Sequence, residues 1–175
     1  MRPHTVLKMN EQLTITQNKF DTFPTTSHVW VYQSKTAFSQ ADIPKIRQHI
    51  NTFTQQWASH NRALQATGDV LHSRFIVLMV DESQAGASGC SIDSSVHFIK
   101  EIEQAYKVDL FDRMTFTYEK DNAVHAIDRE QFSNLYASGD INDDTIVFDN
   151  LVNTKANFDQ RWKVRLGDSW HKRMV

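Results

Sequence analysis

This sequence lacks most of the features that identify a compartment or a chemical activity. A single cysteine, Cys90, cannot form an internal disulfide or a thiolate metal cluster. The longest uninterrupted apolar run covers only residues 75–80, whereas a membrane-spanning helix needs about 20 apolar residues. Residues 1–18 contain no apolar core of a secretory signal. We therefore expect a soluble protein of the reducing cytoplasm, with no membrane partner.

Glycine and proline are also scarce, with five and three residues among 175. Such a composition argues against a flexible linker or a low-complexity segment. Apolar residues make up 40% of the chain and charged residues 23%, which is typical of a globular domain. We predict a loose lead-in over residues 1–22 and a single domain over residues 23–175, the last part of which (163–175) is an extended arm.

Two common signatures of catalysis are missing as well. The glycine-containing stretch 86–91 has no lysine and lacks the spacing of a phosphate loop, which excludes a Walker-type ATPase. The eight histidines include no His-Glu-x-x-His or His-x-His pattern. We predict neither a bound metal nor a cofactor.

Charge is nearly balanced overall but uneven along the chain. The formal net charge of −2 gives no general attraction to nucleic acids, and we predict no such partner. Residues 100–150 carry five Lys or Arg and twelve Asp or Glu, whereas residues 151–175 carry six and two. We expect the basic C-terminal segment to lie against the acidic middle of its own domain. The alternative is that each patch faces another molecule, including a second copy of this chain.

Several segments have the composition of strands. Residues 28–32 are rich in β-formers, and the apolar run that ends stretch 70–80 is typical of a central strand covered on both faces. The Gly68-Asp69 pair predicts a turn before it. Residues 114–118 and 124–127 predict a hairpin turning at 120–122. Residues 145–148 fit either a strand or a buried helical turn.

Helical periodicity alternates with these strands. Apolar residues at helical spacing predict a helix from Ile43 to about His60, and a second helix after an N-cap at Ser91. Asp128 with Gln131 forms a capping pair for a third helix that ends at Gly139. Asn153 or Thr154 is expected to cap a short last helix that runs through Trp162.

The order of elements predicts an α+β fold. Helices between strands favour a two-layer sandwich, in which a mixed sheet of four to five strands has its helices mainly on one face. A three-layer arrangement is the alternative.

The junction between the central strand and the second helix is one candidate site. The N-terminus of a helix offers free N–H groups and a partial positive charge, which suit a phosphate or a carboxylate. We therefore expect a small anionic ligand near Ser91, with Asp81 and Gly89 beside it.

The same positive field would favour the thiolate of Cys90 as a nucleophile. His97 or His72 would then act as the base and Asp93 would orient it. His97 lies about two helical turns, ~10 Å, beyond the thiol, so the pair needs the loop to fold back. A small buried apolar cysteine is the alternative.

The C-terminal segment 168–173 is the other candidate. A tryptophan in a polar tail is expected to anchor the tail in a surface groove. The functional alternative is that Trp170, His171 and Arg173 border a ligand pocket or an interface.

Four segments carry a family resemblance: residues 28–34, 89–99, 145–152 and 168–171. Together they resemble an uncharacterised bacterial family often labelled "ABC transporter ATPase". The similarity runs from about residue 23 to the end of the chain. The label requires a phosphate loop, which this sequence lacks, and the resemblance implies no catalytic residues.

Taken together, the sequence favours a binding or interaction domain without catalysis. We expect it to form a homodimer through an exposed sheet face or through its unevenly charged surface. The alternative is a small ligand-sensing or thiol-dependent enzyme that uses the region from Asp81 to His97.

Overall fold

The computed structural model describes residues 19–175, which form an α+β fold. The predicted lead-in therefore lies mostly outside the described residues. The strands are β1 (His28–Gln33), β2 (Ala58–Ser59), β3 (Arg62–Ala63), β4 (Gln65–Leu71), β5 (Phe75–Asp81), β6 (Thr115–Lys120), β7 (Ala123–Asp128), β8 (Ile146–Phe148) and β9 (Lys163–Arg165). The main helices are α1 (Ile43–Gln56), α2 (Gly89–Tyr106), α3 (Arg129–Ser138) and α4 (Lys155–Arg161), with 3-10 turns at Leu166–Asp168 and Trp170–Met174.

The strands form separate antiparallel sheets. Sheet 1 has the order β1-β5-β4, sheet 2 has the order β7-β6-β8-β9, and β2 pairs with β3 alone. The prediction of one mixed sheet is wrong, since every strand pair within residues 19–175 is antiparallel. The chain crosses from β1 to β4 through α1, but the β4–β5 hairpin then inserts β5 between these two strands. A parallel pair therefore never forms.

Strand β5 is central and buried, as its composition predicts. Its residues alternate between two cores. Ile76, Leu78 and Val80 pack beneath α1 and α2. Phe75, Val77 and Met79 pack on the opposite face, where they meet Phe148, Trp162 and other apolar residues. Both faces of sheet 1 are thus covered, which explains an apolar run without alternation.

The turn predicted at Gly68-Asp69 is wrong, because both residues lie inside β4. The hairpin turns instead at His72 and Ser73, which adopt left-handed φ values of 50° and 55°. Gly68 is needed for packing rather than for turning. A Cβ there would lie 2.7 Å from Cγ2 of Ile50, so the glycine lets α1 lie close to the sheet.

Helix α2 begins earlier than predicted. Ser88 is its N-cap, and Ser91 occupies the third helical position instead of the cap. The hydroxyl of Ser88 accepts from the N–H of Ser91 at 3.3 Å, and the hydroxyl of Ser91 accepts from the N–H of Ser88 at 2.6 Å. Two serines three residues apart form a reciprocal capping box, which a search for Glu or Gln at the third position misses.

Other local predictions are confirmed. Asp128 and Gln131 form the capping box of α3, and Gly139 ends this helix with a φ of 83°. Thr154 caps α4. Helix α1 ends at Gln56 and not near His60, because Trp57 is already extended.

The C-terminal residues are more ordered than the predicted extended arm. Residues 145–148 supply β8, and β9 pairs with it. Leu166 is fully buried in a third core that sheet 2 shares with α3. Residues 163–175 thus form a strand and two 3-10 turns that complete sheet 2 and its core.

The basic C-terminal segment lies against the acidic middle of the chain, as the charge distribution predicts. Nζ of Lys172 lies 2.6 Å from Oδ1 of Asp143, and Nζ of Lys163 lies 2.5 Å from Oε1 of Glu119. A guanidinium nitrogen of Arg165 lies 3.2 Å from Asp144. These exposed pairs add little stability, but they neutralise charges that would otherwise be available to a partner.

Candidate functional site

The residues predicted to hold an anion lie around the start of α2. Asp81 ends β5, and its carboxylate accepts the N–H of Ser83 at 2.9 Å. Gly89 is the first residue of the helix, and Ser91 is buried with its hydroxyl and N–H engaged in the capping box. Ser91 therefore has a structural role that accounts for its side chain.

The structure does not bring Cys90 together with either proposed base. Cys90 is exposed on the first turn of α2. The side chain of His97 is 78% exposed and pairs with Glu101 at 3.2 Å. His72 lies at the other end of β5, partly buried against Phe148 and Trp162. A seven-residue strand spans about 20 Å, so the thiol and His72 lie far apart.

An open groove of about 730 Å³ runs between α1 and α2. Two predicted residues, Asp93 and His97, lie on its α2 side. Phe53 and Phe98 stack face to face across its floor, with ring centroids 4.4 Å apart. The aromatic side chains of the groove thus pack against each other and hold the two helices together.

A smaller cleft of about 230 Å³ lies where sheet 1 meets sheet 2. It is lined by two of the predicted C-terminal residues, Trp170 and His171, whereas Arg173 is exposed and outside its lining. Gln33 of β1 and Asn150, which follows β8, also line it. Residues from three segments that are distant in the sequence, 31–33, 148–151 and 170–171, therefore meet here. We take this inter-sheet cleft as the candidate functional site.

A chain of hydrogen bonds crosses the base of the inter-sheet cleft. Nε1 of Trp162 donates to Oδ1 of Asn150 at 3.0 Å, and Nδ2 of Asn150 donates to Oε1 of Gln33 at 2.7 Å. Nε2 of Gln33 then donates to the carbonyl of Thr115, and the Thr117 hydroxyl donates to Oε1 of Gln33 at 2.6 Å. The network joins β1 to β6, and so fastens sheet 1 to sheet 2.

The indole of Trp162 and the carbonyl of Thr115 set the direction of this network from its two ends. An indole N–H can only donate, so the atom of Asn150 facing it must be the oxygen. The amide nitrogen of Asn150 then faces Gln33, which must present its own oxygen in return. Each side-chain amide oxygen in the network therefore accepts at least one hydrogen bond.

A second indole holds the neighbouring acid. Nε1 of Trp170 donates to Oδ1 of Asp149 at 2.9 Å, and the backbone N–H of Leu151 donates to the same oxygen at 3.1 Å. Asp149 is buried. Two tryptophans therefore anchor the Asp149-Asn150 pair through their ring N–H groups.

His171 is the most deeply buried titratable group at this site, with 1% of its surface exposed. Its ring stacks on Trp170 at 3.8 Å and lies near the rings of Phe116 and Phe132. Burial lowers the pKa of His171 from 6.5 to about 4, against a smaller raising effect of Asp149. The imidazole is therefore neutral at pH 7.

The hydroxyl of Ser169 faces Nδ1 of His171. Its oxygen accepts the backbone N–H of His171 at 3.4 Å and lies 2.7 Å from Nδ1 of the ring. When the hydroxyl donates to Nδ1, the proton of the neutral ring lies on Nε2; when Nδ1 carries that proton, the hydroxyl accepts it. In either case Nε2 makes no hydrogen bond to any described residue, and it is not among the described side-chain atoms that are both buried and unpartnered.

Apolar side chains surround the mouth of the inter-sheet cleft. Phe111 and Leu151 line it while remaining 38% and 65% exposed. They are two of the four exposed large apolar residues in the described part of the chain. Exposed apolar side chains at one opening are typical of a binding site.

Two charged residues flank this mouth. Arg113 is exposed, and Asp112 is half-buried. Two hydrogen bonds lower the pKa of Asp112: the larger effect comes from the Thr115 hydroxyl and the smaller from the N–H of Met114. The rim thus has one charge of each sign.

Sequence reasoning missed Gln33 and Asn150. Gln33 is the last residue of β1 and Asn150 lies two residues after β8, and a polar residue at the end of a strand is a weak signal by itself. They lie 117 residues apart, and no local pattern indicates that they meet.

No family model matches this chain, and no match is found among the curated proteins or the solved structures compared with it. Within residues 19–175, no three His, Cys, Asp or Glu side chains are grouped in a way that could hold a metal ion. None of the described helices has the length and apolar character needed to cross a membrane.

Proposed function

We propose that this protein is a binding domain without catalysis, which takes a small molecule into its inter-sheet cleft. The observation that carries the proposal is the convergence of Gln33, Asn150 and His171, from three distant segments, on the lining of one cleft. Nε2 of His171 has no described hydrogen-bond partner and is not closed off from solvent. A ligand that enters the cleft would find these polar groups already positioned.

The surroundings of His171 support the same function. The cleft combines a few fixed polar groups at its base with apolar side chains at its mouth, which is the usual composition of a small-molecule site. Its volume of about 230 Å³ is below the ~300–1,000 Å³ of pockets for drug-sized molecules. The expected ligand is therefore of metabolite size.

The sequence offers an enzyme or sensor at the junction from Asp81 to His97 as the alternative function. That hypothesis needs a base near Cys90, and the positions of His97 and His72 give it no support. A homodimer driven by uneven charge has lost part of its basis, since Lys163, Arg165 and Lys172 pair within the chain. The proposal of a ligand in the inter-sheet cleft requires neither a reactive Cys90 nor a homodimer.

The test is a binding screen with a defined panel: amides, carboxylates, alcohols and amines with chains of up to six carbons. A ligand raises the melting temperature by mass action, and ¹H–¹⁵N spectra locate its site through the indole signals of Trp162 and Trp170. We expect compounds that bind to shift these indole signals, and we expect Leu151→Asp to weaken their binding. Ile92→Ser is the matched control, because Ile92 is also an exposed apolar residue and lines neither cavity.

Two outcomes would contradict the proposal. One is a panel in which no compound perturbs the indole signals of the inter-sheet cleft. The other is a set of hits whose shifts map to Phe53 and Phe98, in the groove between α1 and α2.

A further inference from the structure

We infer that the inter-sheet cleft selects an uncharged molecule in which a carbonyl oxygen, as in an amide, ester or ketone, is joined to a short apolar group. The inference deepens the proposed function and rests on it. Three features carry it: the direction of the hydrogen bonds at the base, the charges nearby, and the apolar mouth.

The base of the cleft offers hydrogen-bond donors and few acceptors. The side-chain oxygen of Asn150 already accepts a hydrogen bond from Trp162, and that of Gln33 accepts two, from Asn150 and Thr117. Each amide nitrogen uses one proton inside the network, and its second proton has no described acceptor. Nε2 of His171 adds a third N–H when the Ser169 hydroxyl donates to Nδ1. A ligand that satisfies this set must bring an acceptor.

Charge decides which acceptor fits. Asp149 is buried beside Trp170, and its hydrogen-bond partners are an indole and a backbone N–H, neither of them a cation. Its negative charge reaches the ring of His171 and opposes an anionic ligand there. Arg113 is exposed and screened by water, with Asp112 next to it, so it compensates weakly. A neutral carbonyl oxygen meets the donors without this repulsion.

The walls and the mouth suit a short apolar group. Phe148 and Trp170 contribute aromatic surface to the lining, and Phe111 and Leu151 continue it outward. Burying each methylene of a ligand tightens its binding about fourfold. A chain of a few carbons would extend from the carbonyl toward these residues.

A series of equal chain length tests the head group. Hexanamide, hexanoate and hexylamine are titrated at pH 7.5 into the full chain by calorimetry, with the indole signals as a check of position. We expect hexanamide to bind about tenfold more tightly than either charged compound, because a neutral hydrogen bond gained without repulsion contributes on the order of 1 kcal/mol.

Two substitutions at one position separate recognition from packing. His171→Gln keeps an N–H donor and should retain hexanamide binding within about threefold, whereas His171→Leu should lose about tenfold. Circular dichroism establishes that both variants fold. If His171→Leu does not fold, Asn150→Asp, which replaces a donor by an acceptor, gives the same contrast. Arg113→Gln should change hexanamide binding by less than about twofold.

The results that overturn the inference are distinct. Tightest binding of hexylamine refutes the donor-rich base, and tightest binding of hexanoate with dependence on Arg113 refutes the preference for a neutral group. If other panel members bind in the cleft but hexanamide does not, the ligand class is wrong and the proposed function stands. If no compound perturbs the cleft, both fail together.

Discussion

The groove between α1 and α2 and the inter-sheet cleft are built in opposite ways. The groove is the larger, but its aromatic side chains already stack on each other and its charged groups face water. The cleft is the smaller, but polar groups from three remote segments converge on it, among them the buried His171. The larger cavity is thus not the one that gathers polar groups from distant parts of the chain.

The largest expected effect comes from the hub of the cleft network. Gln33→Leu would leave Asn150, Thr115 and Thr117 without their shared partner, and should lower the free energy of unfolding by about 3 kcal/mol. Urea denaturation measures this loss. Gln48→Leu, the same change on the exposed side of the groove, should stay within about 0.5 kcal/mol. Similar losses in both variants would remove the contrast between the two regions.

The second-largest expected effect is a loss of stability in acid that originates in the cleft and not in the groove. The pKa of His171 is about 4 in the folded protein and 6.5 in the unfolded chain, so the unfolded chain binds the extra proton. The stability linked to His171 is therefore fully present above pH 6.5 and falls between pH 6.5 and 4. From pH 7.5 to 5 the free energy of unfolding should drop by about 2 kcal/mol.

Matched variants assign this pH dependence. His171→Phe should abolish it, whereas His97→Gln, in the groove, should leave it unchanged because His97 is exposed. Urea denaturation at a series of pH values gives both slopes. A slope that persists in His171→Phe would place the titrating group elsewhere.

The start of α2 should respond through its cap. Ser88→Ala removes the hydroxyl that accepts the N–H of Ser91, and should cost about 1 kcal/mol. Cys90→Ala, two residues later on the exposed surface, should stay within about 0.5 kcal/mol. Thermal unfolding compares the two. A larger loss for Cys90→Ala would point to a role of the thiol that its exposure does not explain.

The smallest effect is expected in the chemistry of the thiol. The rate at which Cys90 reacts with iodoacetamide should change by less than about twofold in His97→Gln or His72→Gln, since neither ring lies near the sulfur. Mass spectrometry follows the reaction. A fivefold slower reaction in either variant would restore the thiol-dependent enzyme as a hypothesis.

Features with a local cause could be predicted from the sequence. The β5 run, the Asp128–Gln131 capping box and the Gly139 cap each depend on neighbours within a few residues. The turn predicted at Gly68 was wrong because glycine occurs both in tight turns and where a helix lies close to a sheet. Only the tertiary structure distinguishes these two uses.

The candidate site was half predictable for the same reason. Trp170 and His171 stood out as aromatic residues in a polar tail, but Gln33 and Asn150 had no local signal. The sheet pairing failed as well, because hairpin insertion of β5 is decided by long-range contacts. What the sequence lacked was the information about which distant segments would meet.

The indole of Trp162 has a consequence that reaches beyond stability. Trp162 does not line the inter-sheet cleft, yet its N–H holds the oxygen of Asn150 toward itself and the nitrogen toward Gln33. The carbonyl of Thr115 holds the amide of Gln33 in the same sense from the other end of the network. With phenylalanine at position 162, Gln33 would keep its orientation, but the oxygen of Asn150 would lose its described donor. A substitution outside the lining would thus loosen a side chain within it.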